Sequence, residues 1–186
     1  MPKLLAALVA GAVGPVLFPA AAPATVTFGD SLNVAESIIT TYRCGAPCTL
    51  ATTTSPLHLA QFRAPVSGVI VRWRIQTNAS SAAQKISFRV LAPRAGGRFA
   101  GVGRSAPVAV PRKAGIWTFA THLRIAAGDY IGLDTQGRAL GAVAAEEESI
   151  RVFTGPLPDF GRLEAGIPKG YALLLNADVA RVQRPG

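Results

Sequence analysis

The stretch GVIVRWRIQT, residues 68–77, alternates its side chains with a period of two, and that period restricts the fold more than any other feature. Val69, Val71, Trp73 and Ile75 fall on one side of an extended chain, with Ile70, Arg72, Arg74 and Gln76 on the other. QKISFRVLA (84–92) repeats the pattern, with Ile86, Phe88 and Val90 inward and Lys85, Ser87 and Arg89 outward. IWTFATHLRI (116–125) sets Trp117, Phe119, Thr121 and Leu123 against Ile116, Thr118, Ala120 and His122. Further strands are expected at 130–134 and 171–182, the latter with Tyr171, Leu173, Leu175, Ala177 and Val179 on one side, and shorter ones at 37–42, 48–54, 98–104 and 149–154. Gly, Pro, Ser and Asn clusters separate most of these segments. The polar loop NASSAAQ is expected to join 69–75 and 85–91 as a hairpin. ALGAVAAEEESI (139–150) has helix-forming residues, but Gly141 and the lack of a 3.6-residue apolar stripe argue against a helix, and 146–148 reads as a solvated loop. The expectation is an all-β, two-layer antiparallel β-sandwich, jelly-roll-like, with about eight to ten strands.

The first 24 residues have the layout of a signal peptide: Lys3, then an uncharged apolar run over 4–18, then Ala22-Pro23-Ala24. Cleavage after Ala24 leaves 25–186 as one β-sandwich domain of 162 residues, 186 less 24. The alternative is a retained anchor, but the run is interrupted by Gly11, Gly14 and Pro15 and is shorter than the span of about 20 residues that a bilayer needs. No later apolar run is long enough to span. The expected location is therefore secreted or at the cell surface. Charged residues make up 16% of the chain and apolar ones 49%, the composition of a packed globule.

Export exposes cysteines to an oxidising compartment, so Cys44 and Cys48 in RCGAPCT are expected to form a disulfide, with Gly45 and Pro47 bending the ring. Zinc would need two more ligands, and His58 and His122 are the only histidines. The spacing is also not the C-x-x-C of thioredoxin-like redox sites.

Catalytic constellations are thin. GRSAP around Ser105 lacks the second glycine of a nucleophile elbow. In AAGDYIGLD (126–134), Asp129 and Asp134 could be a ligand or catalytic pair, but five residues of strand separate carboxyls by about 17 Å. Asp129 is instead expected to accept backbone N–H bonds in a turn and Asp134 to end a strand. A calcium site using one of them with a distant loop is the alternative. For stacking on a carbohydrate, Tyr42 and Tyr130 are the aromatics not assigned to the core. No cofactor and no metal is expected.

Charge carries more content. Fifteen of the nineteen basic residues are arginine, and loss of Lys3 with the leader leaves +8, 18 basic against 10 acidic residues. Such a balance suits anionic partners, and export makes nucleic acid the least suitable. If 69–75 and 85–91 form a hairpin, Arg72, Arg74, Lys85 and Arg89 share one solvent face, and guanidinium groups bind phosphate bidentately. A plain solvated face is the alternative.

The blocks TFGDSL, CGAPCT, APVSGVIVRWRI, KISFRVL, GVGRSAPV, AAGDYIGLD and LLLNADV, in that order, resemble a group of secreted actinobacterial proteins of uncharacterised function. The resemblance implies one β-sandwich domain and no particular activity. In that group the NADV block often continues into an acidic, calcium-binding tail; this chain continues as ARVQRPG, which argues against calcium dependence. The functional expectation is a secreted, noncatalytic module docking an anionic cell-envelope polymer or lipid headgroup through the arginine-rich face. The alternatives are an extracellular hydrolase with carboxylate chemistry and a purely structural envelope protein.

Overall fold

The computed structural model describes residues 24–54, 62–79, 84–145, 149–161 and 164–181. The leader-like run 4–18, His58, positions 80–83 of the expected hairpin loop and the acidic run 146–148 lie outside the described residues. The protein is all-β, as its alternation predicts. Its strands are β1 (Thr25–Gly29), β2 (Thr40–Arg43), β3 (Cys48–Thr52), β4 (Gly68–Thr77), β5 (Gln84–Arg94), β6 (Arg98–Arg104), β7 (Val108–Val110), β8 (Gly115–Ile125), β9 (Tyr130–Thr135), β10 (Arg138–Ala144), β11 (Ile150–Thr154), β12 (Ile167–Lys169), β13 (Tyr171–Leu173) and β14 (Leu175–Arg181).

A four-stranded sheet, β1-β14-β4-β8, packs against a sheet ordered β12-β11-β3-β9-β5-β6 in which β7 also pairs with β5. A small sheet, β13-β10-β2, lies beside them against β3, β4, β9 and β11. All strand pairs are antiparallel. The core between the large sheets forms where their apolar rows meet. Trp73 of β4 stacks on Phe88 of β5 with centroids 5.3 Å apart and lies 4.6 Å from Phe119 of β8. Ile70, Ile75, Ile86, Val90, Leu175 and Val179 complete the buried row. Cys44 and Cys48 are disulfide-bonded, with Cα atoms 6.3 Å apart. Among the described residues no helix is long and apolar enough to cross a membrane.

Four expectations need correction. The hairpin does not form: β4 pairs with β14 and β8, while β5 pairs with β9, β6 and β7 in the other layer. Alternation says which side of a strand is apolar but not which strand lies beside it, and stacking the two apolar rows face to face buries both. Within β4 the inward set is Ile70, Trp73 and Ile75, so Ile70 is fully buried and Val69 and Val71 only partly. Register shifts between Ile70 and Arg72 against β8, and between Asp178 and Val179 against β4, mark a bulge that flips the first half of the strand. In line with the argument against a helix over 139–150, Arg138–Ala144 forms β10, where positive-φ Gly141 brings its backbone against β4. The expected strand at 171–182 breaks at Leu174, whose N–H bonds to Gly141 O and whose carbonyl accepts from Gln76 N, so the chain changes sheets there. Splits of this kind, and short strands without alternation, raise the number of strands among the described residues to fourteen.

β3 and β9 approach closely at Gly132, paired with Ala51, where a Cβ would overlap the Leu50 carbonyl oxygen. Gly132→Ala is expected to lower unfolding free energy by about 1–3 kcal/mol through this overpacking. A urea midpoint equal to the parent's would contradict the close approach.

Candidate anion-binding surface

Each large sheet holds a buried aspartate on the side away from the core, and each aspartate gathers arginines. In β14 the pattern that turns Leu175, Ala177 and Val179 inward turns Asn176 and Asp178 outward, and Asp178 lies in register with Arg72 of β4 and Thr27 of β1. Arg74 donates to both carboxylate oxygens of Asp178, at 3.0 and 2.8 Å, and Arg72 Nε donates at 2.6 Å. The Thr27 hydroxyl adds a bond of 2.7 Å. Asp178 is 1% exposed, whereas Arg72 and Arg74 are 49% and 23% exposed, so the guanidinium groups stay partly hydrated over a desolvated carboxylate. Burial works against ionisation, but the bonds from Arg74, Thr27 and Arg72 outweigh it and hold the carboxyl at about 2.

The second cluster centres on Asp134 of β9. Thr49 of β3 donates to it at 2.5 Å, Arg104 Nε of β6 lies at 3.1 Å, and Arg89 Nη1 of β5 lies at 3.8 Å. Arg89 also meets Asp159 at 2.8 Å and donates to the Leu157 carbonyl. Thr49 accepts from Leu157 N–H at 2.8 Å. Segment 155–161 is thereby drawn across the sheet, and Arg89 is 1% exposed beneath it. Burial pushes the Asp134 carboxyl above its ordinary range, and the Asp159 carboxylate adds to the rise, against the pull of Thr49, Arg89 and Arg104.

The four expected site residues are therefore not one face. Arg72 and Arg74 share the outer side of the four-stranded sheet, bridged by Asp178. Lys85 is exposed on the other sheet, and Arg89 is buried because a sheet's outer side is not always solvent. Asp178, Asp134, Arg104 and Asp159 were missed as a set. The signal for Asp178 was its alternation with apolar neighbours, since a carboxylate in a covered strand needs a cationic partner.

The remaining candidates have separate roles. Asp129 accepts from Ala126 N–H at 2.9 Å, the turn role expected of it. Asp134 sits within its strand and not at its end. The Ser105 hydroxyl accepts from Phe88 N–H and donates to the Ala106 carbonyl, both at 2.9 Å. His122 is exposed on β8. Tyr130 is buried, with its hydroxyl accepting from Arg63 at 2.5 Å, and Tyr42 packs edge-on against Tyr171.

An open cleft of about 480 Å³ lies where the end of β5 meets the β8–β9 turn. Arg94, Arg124, Asp129 and Ser67 line it, with Val102 and Phe160 among its apolar wall. Arg124 and the bridged Arg72 lie on outward positions of neighbouring strands, since Ala120, Arg72's partner, alternates with His122 and Arg124 in exposure. Arg124 has no ion pair among the described residues. Burial raises the Asp129 carboxyl, opposed by the Ala126 N–H and by the charge of Arg94. The Phe160 ring, 82% exposed, stands at the rim, with its N–H bonded to Gly101 O at 2.8 Å. No family model matches the chain, and no curated protein or solved structure matches it.

Because the folded Asp178 carboxyl is depressed from 3.8 to about 2, its stabilisation is present above the unfolded value and lost as pH falls through the folded one. The parent is expected to lose about 2 kcal/mol more than Asp178→Asn between about pH 4 and pH 2 in urea unfolding. Parallel profiles would contradict the bridge.

Proposed function

We propose that the chain is an exported, noncatalytic β-sandwich module of the cell envelope that docks an anionic group, carried by a polymer or a lipid headgroup, on its arginine-bearing surface. The observation that carries this reading is the distribution of charge. Asp178 and Asp134 take Arg72, Arg74, Arg89 and Arg104, yet Arg124 and Arg94 still face the open cleft, with Asp129 held by its own turn. The binding residues assigned are therefore Arg94 and Arg124. Guanidinium groups suit a phosphate or carboxylate, and an exposed phenyl ring at the rim suits a ligand with an apolar portion. Export is supported by the leader-like N-terminus and by the disulfide, which persists in oxidising compartments. The resemblance to secreted actinobacterial proteins of uncharacterised function points the same way. A noncatalytic role is supported by the structural engagement of Ser105, Asp129 and Asp134 in hydrogen bonds of their own.

The test is binding of the processed protein to anionic phospholipid vesicles in one arm and to a soluble anionic wall polymer in the other, over a salt series. Affinity is expected to fall with salt in at least one arm, and Arg94→Ala with Arg124→Ala to weaken it and flatten the salt slope. Binding equal to the parent's in that double variant, or none in either arm, would overturn the proposal.

A further inference from the structure

The free edge of the four-stranded sheet is β8, and we infer that it pairs with β8 of a second copy of this chain, joining the two four-stranded sheets across a two-fold axis. Strand β8 is eleven residues long and is paired on one side only, with β4. Along the other side no described strand supplies partners for its outward N–H and C=O groups. Other edges of the two large sheets are short or closed. β1 is five residues, β7 is three and runs into Pro111, and β12 is three with Pro168 at its centre. β6 is covered by the segment that follows β11, through Phe99 N–H to Glu164 O at 2.8 Å, Glu164 N–H to Phe99 O at 3.0 Å and Phe160 N–H to Gly101 O.

The occupant follows from charge and self-complementarity. The chain carries a net +9, so two copies repel unless the contact lies in a neutral stretch. Gly115 to Ala120, GIWTFA, has no charged residue, and β8 is regular there; the register shift with β4 comes after Ala120. An antiparallel pairing centred on Thr118 sets Ile116 against the second copy's Ala120 and Trp117 against its Phe119. Ile116 is 50% exposed, and Trp117 and Phe119 are half-buried at the open margin of the core, so this register covers apolar surface the single chain leaves wet. Lysine, proline or an inward charge, the usual guards of an edge, are absent from the stretch.

The test is light scattering during gel filtration of the processed protein, over a concentration series at low and high sodium chloride. A dimer that tightens with salt is expected, because salt screens the repulsion between like-charged copies. Anion docking weakens with salt, so the two ideas fail separately. Thr118→Lys places two lysines face to face on the axis, on an exposed position that β8 does not need for its core, and is expected to weaken the dimer several-fold with an unchanged near-ultraviolet circular dichroism spectrum. His122→Lys, past the register shift, is expected to dimerise as the parent does. A parent that stays monomeric throughout, or a folded Thr118→Lys that dimerises equally well, overturns the pairing.

Discussion

The contact of Trp73 with Phe88 is the joint on which the architecture turns. It connects β4 in one sheet to β5 in the other at the centre of the core, and Phe119 braces the same indole from β8. Burying the stacked Trp73 and Phe88 rings, with half-buried Phe119 beside them, contributes several kcal/mol that neither sheet could gain alone. Fixing Trp73 inward also fixes the outward direction of Arg72 and Arg74, because successive residues of a strand point to opposite sides. The electrostatics of the outer surface therefore follow from the packing of the inner one.

That dependence explains which parts were legible in the sequence. Period-2 alternation identified β4, β5, β8 and β14 and the inward rows of β5 and β8, because a half-buried strand writes its burial into its composition. It did not reveal the bulge that turns Ile70 inward, since one extra residue changes register without changing residue types. It also did not reveal that β5 is covered on both sides. Arg89 reads as a surface residue because it alternates with Phe88 and Val90, yet Leu157, Asp159 and Asp134 supply its polar partners under a covering segment. No local pattern reports such a cover, since its residues lie some seventy positions away, as the 68-residue separation of Arg89 and Leu157 illustrates. The short strands β1, β7 and β12 were silent for the simpler reason that three to five residues hold too few turns of the pattern to be read.

The candidate site was legible in kind but not in place. Composition alone shows that cations outnumber anions, and that a sandwich must put most of them on its surface. Which cations stay available is decided by where the few carboxylates go. Once Asp178 and Asp134 are buried, they must hold guanidinium groups close to remain compatible with the fold, and the arginines so held lose freedom to bind elsewhere. Arg94 and Arg124, at the ends of β5 and β8, are held by neither aspartate and line the cleft.

Asp178 and Asp134 show that the same pair of residue types can act in opposite directions. Both are nearly fully buried, both have two arginines, and both accept from a threonine hydroxyl. Asp178 is depressed because its arginines direct hydrogen bonds to both oxygens while their own charge remains partly hydrated. Asp134 is raised because its own burial is the larger effect and the Asp159 carboxylate adds to it, against the pull of Thr49, Arg89 and Arg104. The signs for stability follow. As pH falls from neutrality toward the unfolded carboxylate range, protonation of Asp134 favours the folded state, because that state holds the proton more tightly. Below that range the bridge at Asp178 is lost and disfavours it. The two sheets thus respond to acid in opposite senses, and the difference lies in whether burial of the carboxyl or the hydrogen bonds to it prevail, and not in the number of ion pairs each contains.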